Sequence, residues 1–132
     1  MDILKQALDL NLPLGKYAIF GSGPMAIRGI REPQDIDIIV TPSLYKELHH
    51  LGWREEGSGR KKHLVNNSIE IFDSWDFDNY NPNLEQLIRE AEIINGVPIV
   101  QLDEVIKWKK AFGGDKDLAD IKLIQNYLQH KS

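Results

Sequence analysis

Two aspartates one residue apart are the side chains in this sequence best suited to chemistry. They are Asp35 and Asp37, in the run Asp35-Ile36-Asp37-Ile38. Alternate side chains of a β-strand point to the same face, so this run places both carboxylates side by side and turns the isoleucines towards a core. Adjacent carboxylates repel each other unless a cation lies between them. Ligands made only of oxygen suit Mg²⁺ or Mn²⁺ better than zinc, and the pair therefore predicts a divalent-metal site.

A Gly-Ser turn, separated from the aspartates by twelve residues, supplies a second kind of group. Gly21-Ser22 follows the apolar run 17–20, and Pro24 suits the first turn of a helix. Glycine lets the backbone approach a phosphate closely, the helix start offers free N–H groups, and Ser22 adds a hydroxyl. A phosphate-binding turn beside a carboxylate pair is what metal-assisted phosphoryl or nucleotidyl transfer requires. The alternative is a structural domain whose aspartates face water.

A third carboxylate is expected on a neighbouring strand. Glu70 is the best candidate, because it is a charge inside the apolar run Ile69-Glu70-Ile71, and a buried strand avoids such a charge unless it is used. The alternative is a half-exposed strand with Glu70 facing water. Asp73 is the second candidate, but strand alternation points it to the opposite face.

The elements that must position these residues follow from hydrophobic periodicity and turn signals. We predict one α/β domain over residues 1–132, with an irregular segment at 73–83. Pro98 lacks a backbone donor, so the strand that contains it is expected at a sheet edge. The predicted strands are 17–20, 36–40, 53–55, 62–65, 68–72 and 97–100, and the predicted helices are 2–10, 24–30, 43–51, 84–91 and two in the last third of the chain.

Composition narrows the function classes. The chain has 132 residues, of which 42% are apolar, 27% are charged and none is cysteine. Disulfides, thiolate metal sites and a cysteine nucleophile are therefore excluded. A net charge of -4 disfavours non-specific nucleic-acid binding, which needs clustered basic residues. With no apolar stretch near 20 residues and no signal-like N-terminus, we expect a cytoplasmic protein without a membrane anchor.

The segments Phe20-Gly21-Ser22 and Asp35-Ile36-Asp37-Ile38 resemble the signature of the nucleotidyltransferase superfamily. The C-terminal third adds to the resemblance, because small bacterial members often carry a lysine-containing helix, a Gly-Arg-x-Lys-Asp turn and a further helix. Here Lys109 is followed by Gly113-Gly114-Asp115-Lys116-Asp117, and Asp120 matches the aspartate that members carry three residues further on. Asp120 is equally consistent with a charge at the start of a helix. The resemblance spans roughly residues 17–128. It departs from the family at Gly114, which stands where the arginine is expected.

This resemblance implies a nucleotidyltransferase fold, with a mixed central sheet flanked by helices and a helical C-terminal part. It implies a Mg²⁺- or Mn²⁺-dependent enzyme that transfers a nucleoside monophosphate from a nucleoside triphosphate to an acceptor hydroxyl. The catalytic residues and metal ligands would be Asp35, Asp37 and Glu70. The nucleotide-binding residues would be Gly21, Ser22, Arg28, Lys109 and Lys116. Arg31 is a further basic residue after the Gly-Ser turn, and either arginine is equally consistent with a solvated helix charge.

The acceptor stays open at this point, and an antibiotic, a small metabolite, an RNA 3′ end and a protein side chain are all compatible. A second hypothesis is a non-catalytic nucleotide-binding or regulatory module, such as one half of a toxin–antitoxin pair with a small helical protein partner. His63 is isolated and is given no functional role, and the tryptophans are assigned to packing. Trp75, in the irregular segment, is the one tryptophan placed to line a pocket.

Overall fold

A seven-stranded mixed sheet forms the centre of the computed structural model, which describes residues 2–32 and 34–130. Its strands are β1 (Tyr17–Phe20), β2 (Ile36–Val40), β3 (Arg54–Glu56), β4 (His63–Asn66), β5 (Ile69–Phe72), β6 (Glu92–Ile94) and β7 (Val97–Ile99). They lie in the order β3-β4-β5-β2-β1-β7-β6. The predicted mixed sheet flanked by helices is therefore confirmed.

Six α-helices flank this sheet within the described residues, and a single 3₁₀ turn lies at Gly59–Lys61. The helices are α1 (Ile3–Asp9), α2 (Gly23–Ile27), α3 (Pro42–His50), α4 (Leu84–Arg89), α5 (Leu102–Phe112) and α6 (Asp115–His130). Side chains cap three of them: Asp2 accepts from the Lys5 amide, Thr41 from Leu44 and Asn83 from Gln86. None of the described helices is both long enough and apolar enough to cross a lipid bilayer.

The sheet separates two hydrophobic clusters. On one face, α1 and α3 cover strand residues such as Ile36 and Ile38, which are fully buried. On the other face, α4, α5 and α6 pack with an aromatic group around Phe20 and Trp75. Because Asp37 lies between Ile36 and Ile38 on β2, its side chain points to the second face. The α5–α6 side of the sheet therefore carries the candidate site.

The structure corrects the prediction for the strand that contains Pro98. This strand, β7, lies inside the sheet between β1 and β6, so the predicted edge position is wrong. Its register with β1 is limited to Ile19 opposite Ile99, continued by the Val100 amide donating to the Ile19 carbonyl at 3.0 Å. Pro98 itself faces Ile93 of β6. Proline is tolerated because the short pairing with β1 does not need a donor at its position.

Candidate active site

The three predicted carboxylates come together on one face of the sheet. β2 and β5 run parallel with Asp37 opposite Glu70, and Asp35 is the residue just before β2. Residues opposite each other in a ladder place their side chains on the same face. All three carboxylates line one cavity of about 260 Å³, which we call the carboxylate cavity. Its full lining is Gly21, Ser22, Arg31, Gln34, Asp35, Asp37, Glu70, Trp108, Lys109, Lys116 and Asp117.

Asp37 is the carboxylate with the most perturbed protonation. Burial, followed by the charge of Glu70, a hydrogen bond with Glu70 and the charge of Asp35, raises its pKa from 3.8 to about 7. Desolvation and like charges both disfavour the ionised form of a carboxyl group. The metal-free site therefore holds a proton at Asp37 at a pH where an ordinary aspartate is ionised.

Gly21 packs directly against Asp37. Its backbone has φ +64°, and a β-carbon built on it would lie 2.9 Å from the Asp37 Cβ and 3.0 Å from the Asp37 Cγ. The sequence suggested glycine here so that the chain can approach a phosphate, whereas the structure shows that its near neighbour is the Asp37 side chain. The next residue, Ser22, donates from its hydroxyl to the Asp35 carbonyl at 3.4 Å. The turn and the aspartate segment are thus tied to each other at both positions.

A buried carboxylate on α6 holds two of the cations at this cavity. Asp120 is 5% exposed, and its Oδ2 lies 2.9 Å from the Lys109 Nζ and 2.8 Å from an Arg31 guanidinium nitrogen. Lys109 is itself buried and also lies 3.8 Å from Asp117. The sequence resemblance includes Asp120 but does not indicate its partners, because Lys109 and Arg31 lie in other segments of the chain. Asp120 fixes both cations beside the carboxylate cavity.

The remaining predicted cations have different surroundings. Lys116 lines the carboxylate cavity, is exposed and forms no ion pair with any described residue. Arg28 does not line the cavity, since its guanidinium donates to the Pro24 carbonyl at 2.7 Å and to Glu92 at 2.5 Å. Arg31 lines it instead. The structure therefore places Lys116 and Arg31 at the site, and it places Arg28 between α2 and β6.

Glu70 and Asp73, the two candidates for the third carboxylate, also have different surroundings. Glu70 lines the carboxylate cavity, whereas Asp73 pairs with Lys62 at 3.4 Å and lies outside the lining. His63, which the sequence reading set aside, lies 3.7 Å from Glu70 through its Nε2 and stacks on Phe72. The register of the β4–β5 hairpin predicts this contact. Counting back from the turn between the two strands places position 63 opposite position 72.

The donor set determines which cation these residues suit. Three carboxylates contribute only oxygen atoms, which matches a hard divalent cation such as Mg²⁺ or Mn²⁺. The raised pKa of Asp37 shows that its negative charge lacks compensation, and a cation would supply it. Within residues 2–32 and 34–130, no three His, Asp or Glu side chains are already grouped to hold a metal ion. The chemistry fits, although a three-ligand site is not preformed.

Comparison with known proteins adds the identity of the fold. No family model matches the chain, and no curated protein matches it. Among solved structures, it is similar to the aminoglycoside nucleotidyltransferase ANT(2″)-Ia in a crystal structure with adenylyl-2″-tobramycin. That similarity has a TM-score of 0.51 at 19% identity, over 96% of this chain and 85% of the other. This is the nucleotidyltransferase fold.

A second structure of the same neighbour, a solution structure described as an antibiotic-resistance factor, gives a TM-score of 0.47 at 18% identity. It covers 96% of this chain and 80% of that one. The nucleotidyltransferase fold agrees with the fold that the residue signature implied. At this identity the likeness extends to the fold, and the reaction has to be argued from the site.

Proposed function

We propose that this protein is a nucleotidyltransferase that moves a nucleoside monophosphate from a nucleoside triphosphate to an acceptor hydroxyl. The observation that carries this proposal is the in-register placement of Asp37 and Glu70 on β2 and β5, with Asp35 and the Gly21-Ser22 turn beside them. Basic side chains line the same cavity. Carboxylates for a divalent cation next to cations for a triphosphate are the two requirements of this reaction.

The carboxylates Asp35, Asp37 and Glu70 are the proposed metal ligands. A divalent cation bound there would neutralise charge on the triphosphate and favour ionisation of the acceptor hydroxyl. The proposal is supported by the perturbed pKa of Asp37, because a charge that is costly in the metal-free site is the one a cation stabilises most.

The cations of the site are proposed to bind the triphosphate. Lys109 and Arg31 are held in place by Asp120, so they offer fixed positive charge, while the exposed Lys116 is free of ion pairs with described residues and can move to a phosphate. The backbone at Gly21 and Ser22 would contact the phosphates from the other chain segment. In the reaction, the acceptor oxygen would bond to the α-phosphorus as the bond to pyrophosphate breaks, and Glu70 would accept the hydroxyl proton.

The structural neighbour supports an adenylated small molecule as the product class. Its crystal structure contains adenylyl-2″-tobramycin. By analogy of fold, we propose ATP as the first donor to test and a small molecule as the first class of acceptor.

The test is label transfer from α-labelled ATP, GTP, CTP and UTP in the presence of Mg²⁺ and a fractionated cell extract. We expect one nucleotide to label one fraction with the wild type and with Asp9→Asn, a control in which an exposed aspartate outside the cavity is changed. Asp37→Asn should abolish the transfer. Binding of Mg-NTP without transfer to any fraction would favour the non-catalytic module instead. If all four Mg-NTPs leave the melting temperature of the folded protein unchanged, the proposal is wrong.

A further inference from the structure

A second cavity, of about 510 Å³, lies on the same face of the sheet. Its apolar walls are mostly aromatic, and we call it the aromatic cavity. A volume of this order suits a small molecule. The aromatic members are Phe72, Trp75, Phe77 and Phe112, joined by His63 and Ala111, and the polar members are Arg60, Lys61, Ser74, Asp76, Asp78 and Asn79.

The aromatic cavity adjoins the carboxylate cavity through shared structure. On β5, Glu70 lines the carboxylate cavity and Phe72 lines the aromatic one, two residues along the same face. His63 bridges them, since it lies 3.7 Å from Glu70 and stacks on Phe72 with ring centroids 5.2 Å apart. A molecule in the aromatic cavity is therefore next to the carboxylate proposed to face the acceptor hydroxyl.

The charged side chains of the two cavities suit different ligands. The aromatic cavity has two cations and two carboxylates, and one of each is already paired, because Arg60 lies 2.6 Å from Asp78. It therefore has no net charge to attract a triphosphate or a polycation. The carboxylate cavity, in contrast, holds the three cations Arg31, Lys109 and Lys116 beside four carboxylates, whose charge the proposed divalent cation would offset. Phosphate groups belong with these cations, and the aromatic walls favour an uncharged ring by stacking.

We propose that the aromatic cavity is the acceptor site, and that its acceptor is a small, flat aromatic molecule bearing a hydroxyl group and at most one charge. This rests on the proposed nucleotidyl transfer. The acceptor oxygen bonds to the α-phosphorus, the bond between that phosphorus and the pyrophosphate oxygen breaks, and the hydroxyl proton passes to Glu70 and from there to solvent. The product is a nucleoside monophosphate ester of the aromatic alcohol.

Binding of 2-naphthol, measured by ligand-observed NMR titration, tests the site with a defined probe. Phe112 is the variant of choice, because it is 50% exposed and its loss should leave the fold intact. Leu123→Ala is the matched control, since Leu123 is 44% exposed on α6 and lines neither cavity. We expect Phe112→Ala to weaken 2-naphthol binding about tenfold, while Leu123→Ala leaves it unchanged. Neither variant should change the affinity for Mg-ATP.

Three outcomes would overturn the proposal. The wild type could bind Mg-ATP but not 2-naphthol. Phe112→Ala could weaken Mg-ATP binding, which would show that the aromatic cavity holds the nucleobase. Tobramycin could bind more tightly than 2-naphthol with the same dependence on Phe112, which would make the acceptor a polycation. If 2-naphthol binds through Phe112 while no Mg-NTP binds at all, the proposed nucleotidyl transfer is wrong. The aromatic cavity would then still be a binding site for an aromatic ring, but not an acceptor site.

Discussion

Gly21 and Asp37 occupy adjoining space so fully that no side chain fits at position 21. A β-carbon there would lie 2.9 Å from the Asp37 Cβ, and the backbone has φ +64°, a region that residues with a β-carbon rarely adopt. The turn that would contact phosphate and the carboxylate that would hold a cation are consequently in contact with each other. A change at one of them must displace the other.

Gly21→Ala is therefore expected to abolish nucleotidyl transfer, because the new methyl group pushes the Asp37 side chain away from the carboxylate cavity. The free energy of unfolding should also fall, by about 1–3 kcal/mol for the positive φ and the overlap together. Gly15→Ala is the matched control, since Gly15 has φ +87° with no atom within 4 Å of the built β-carbon. Urea denaturation and label transfer check both variants. Equal activity in the two variants would contradict the prediction.

The pKa of Asp37 predicts how the metal-free protein responds to pH. Its folded value of about 7 lies above its usual 3.8, so the folded state binds more protons than the unfolded state between these values. The proton on Asp37 therefore stabilises the folded state at low pH, and this contribution to the free energy of unfolding is lost as the pH rises through about 7. Asp37→Asn removes this loss and should be more stable than the wild type at about pH 8, by on the order of 1–3 kcal/mol.

Denaturant titrations in EDTA at about pH 5 and about pH 8 measure this effect, since the two values bracket the titration of the raised carboxyl group. Asp9→Asn, on the exposed end of α1, should keep the wild-type dependence. The same slope with pH in Asp37→Asn and in the wild type would show that the carboxylate is not perturbed.

A divalent cation should reverse the effect of pH on the wild type. At about pH 8 the ionised carboxylates repel each other, and Mg²⁺ or Mn²⁺ bound between them would convert this repulsion into stabilisation. We expect the melting temperature of the wild type to rise with added Mn²⁺ and that of Asp37→Asn to stay constant. The melting temperatures are measured by thermal shift during a titration with Mn²⁺ in calcium-free buffer. A rise of equal size in both proteins would place the cation elsewhere.

Asp120→Asn should destabilise the fold, because it leaves Lys109 buried with its closest counter-charge removed. Breaking one partner of a buried ion pair costs roughly 3–5 kcal/mol. The double variant Asp120→Asn with Lys109→Met should recover part of this stability without recovering affinity for Mg-ATP. Denaturation and equilibrium binding separate the two roles. If the double variant binds Mg-ATP normally, Lys109 supports the fold alone.

Arg31 and Arg28 should differ in what their loss affects. Arg31 lines the carboxylate cavity, so Arg31→Ala is expected to weaken Mg-ATP binding about tenfold. The Arg28 side chain is 6% exposed and links α2 to β6 through Glu92, so Arg28→Ala should lower stability and leave Mg-ATP affinity unchanged. Calorimetric binding and thermal denaturation of both variants test this. Weakened binding in Arg28→Ala alone would reverse the assignment.

Much of the fold was predictable because local signals coincide with the elements. The runs 17–20 and 36–40 are apolar except for Asp37, and they match β1 and β2 residue for residue. The sequence did not predict the short edge strand β6, because its three residues, none of them buried, are too few to show an alternating pattern. On α6, Leu118, Ile121, Ile124 and Leu128 follow helical spacing, but only Ile121 and Ile124 are buried.

The sequence predicted the individual site residues on each strand but not the way in which the strands pair. Asp35, Asp37 and Glu70 stand out within their runs, but the pairing that sets Asp37 opposite Glu70 joins strands about thirty residues apart and leaves no local trace. The same reason explains why the ion pair of Asp120 with Lys109 could not be predicted, since the two residues lie on different helices. The contact of His63 with Glu70, in contrast, spans a hairpin whose register the sequence indicates.

The spacing along β5 has a consequence for the regiochemistry of the proposed reaction. Glu70 and Phe72 are two residues apart on one strand, and a strand rises about 3.3 Å per residue. The strand thus sets a distance of about 6–7 Å between Phe72, proposed to stack on the ring of the acceptor, and Glu70, proposed to face its hydroxyl group. On an acceptor with several hydroxyl groups, only one that lies at this reach from the stacked ring would be modified.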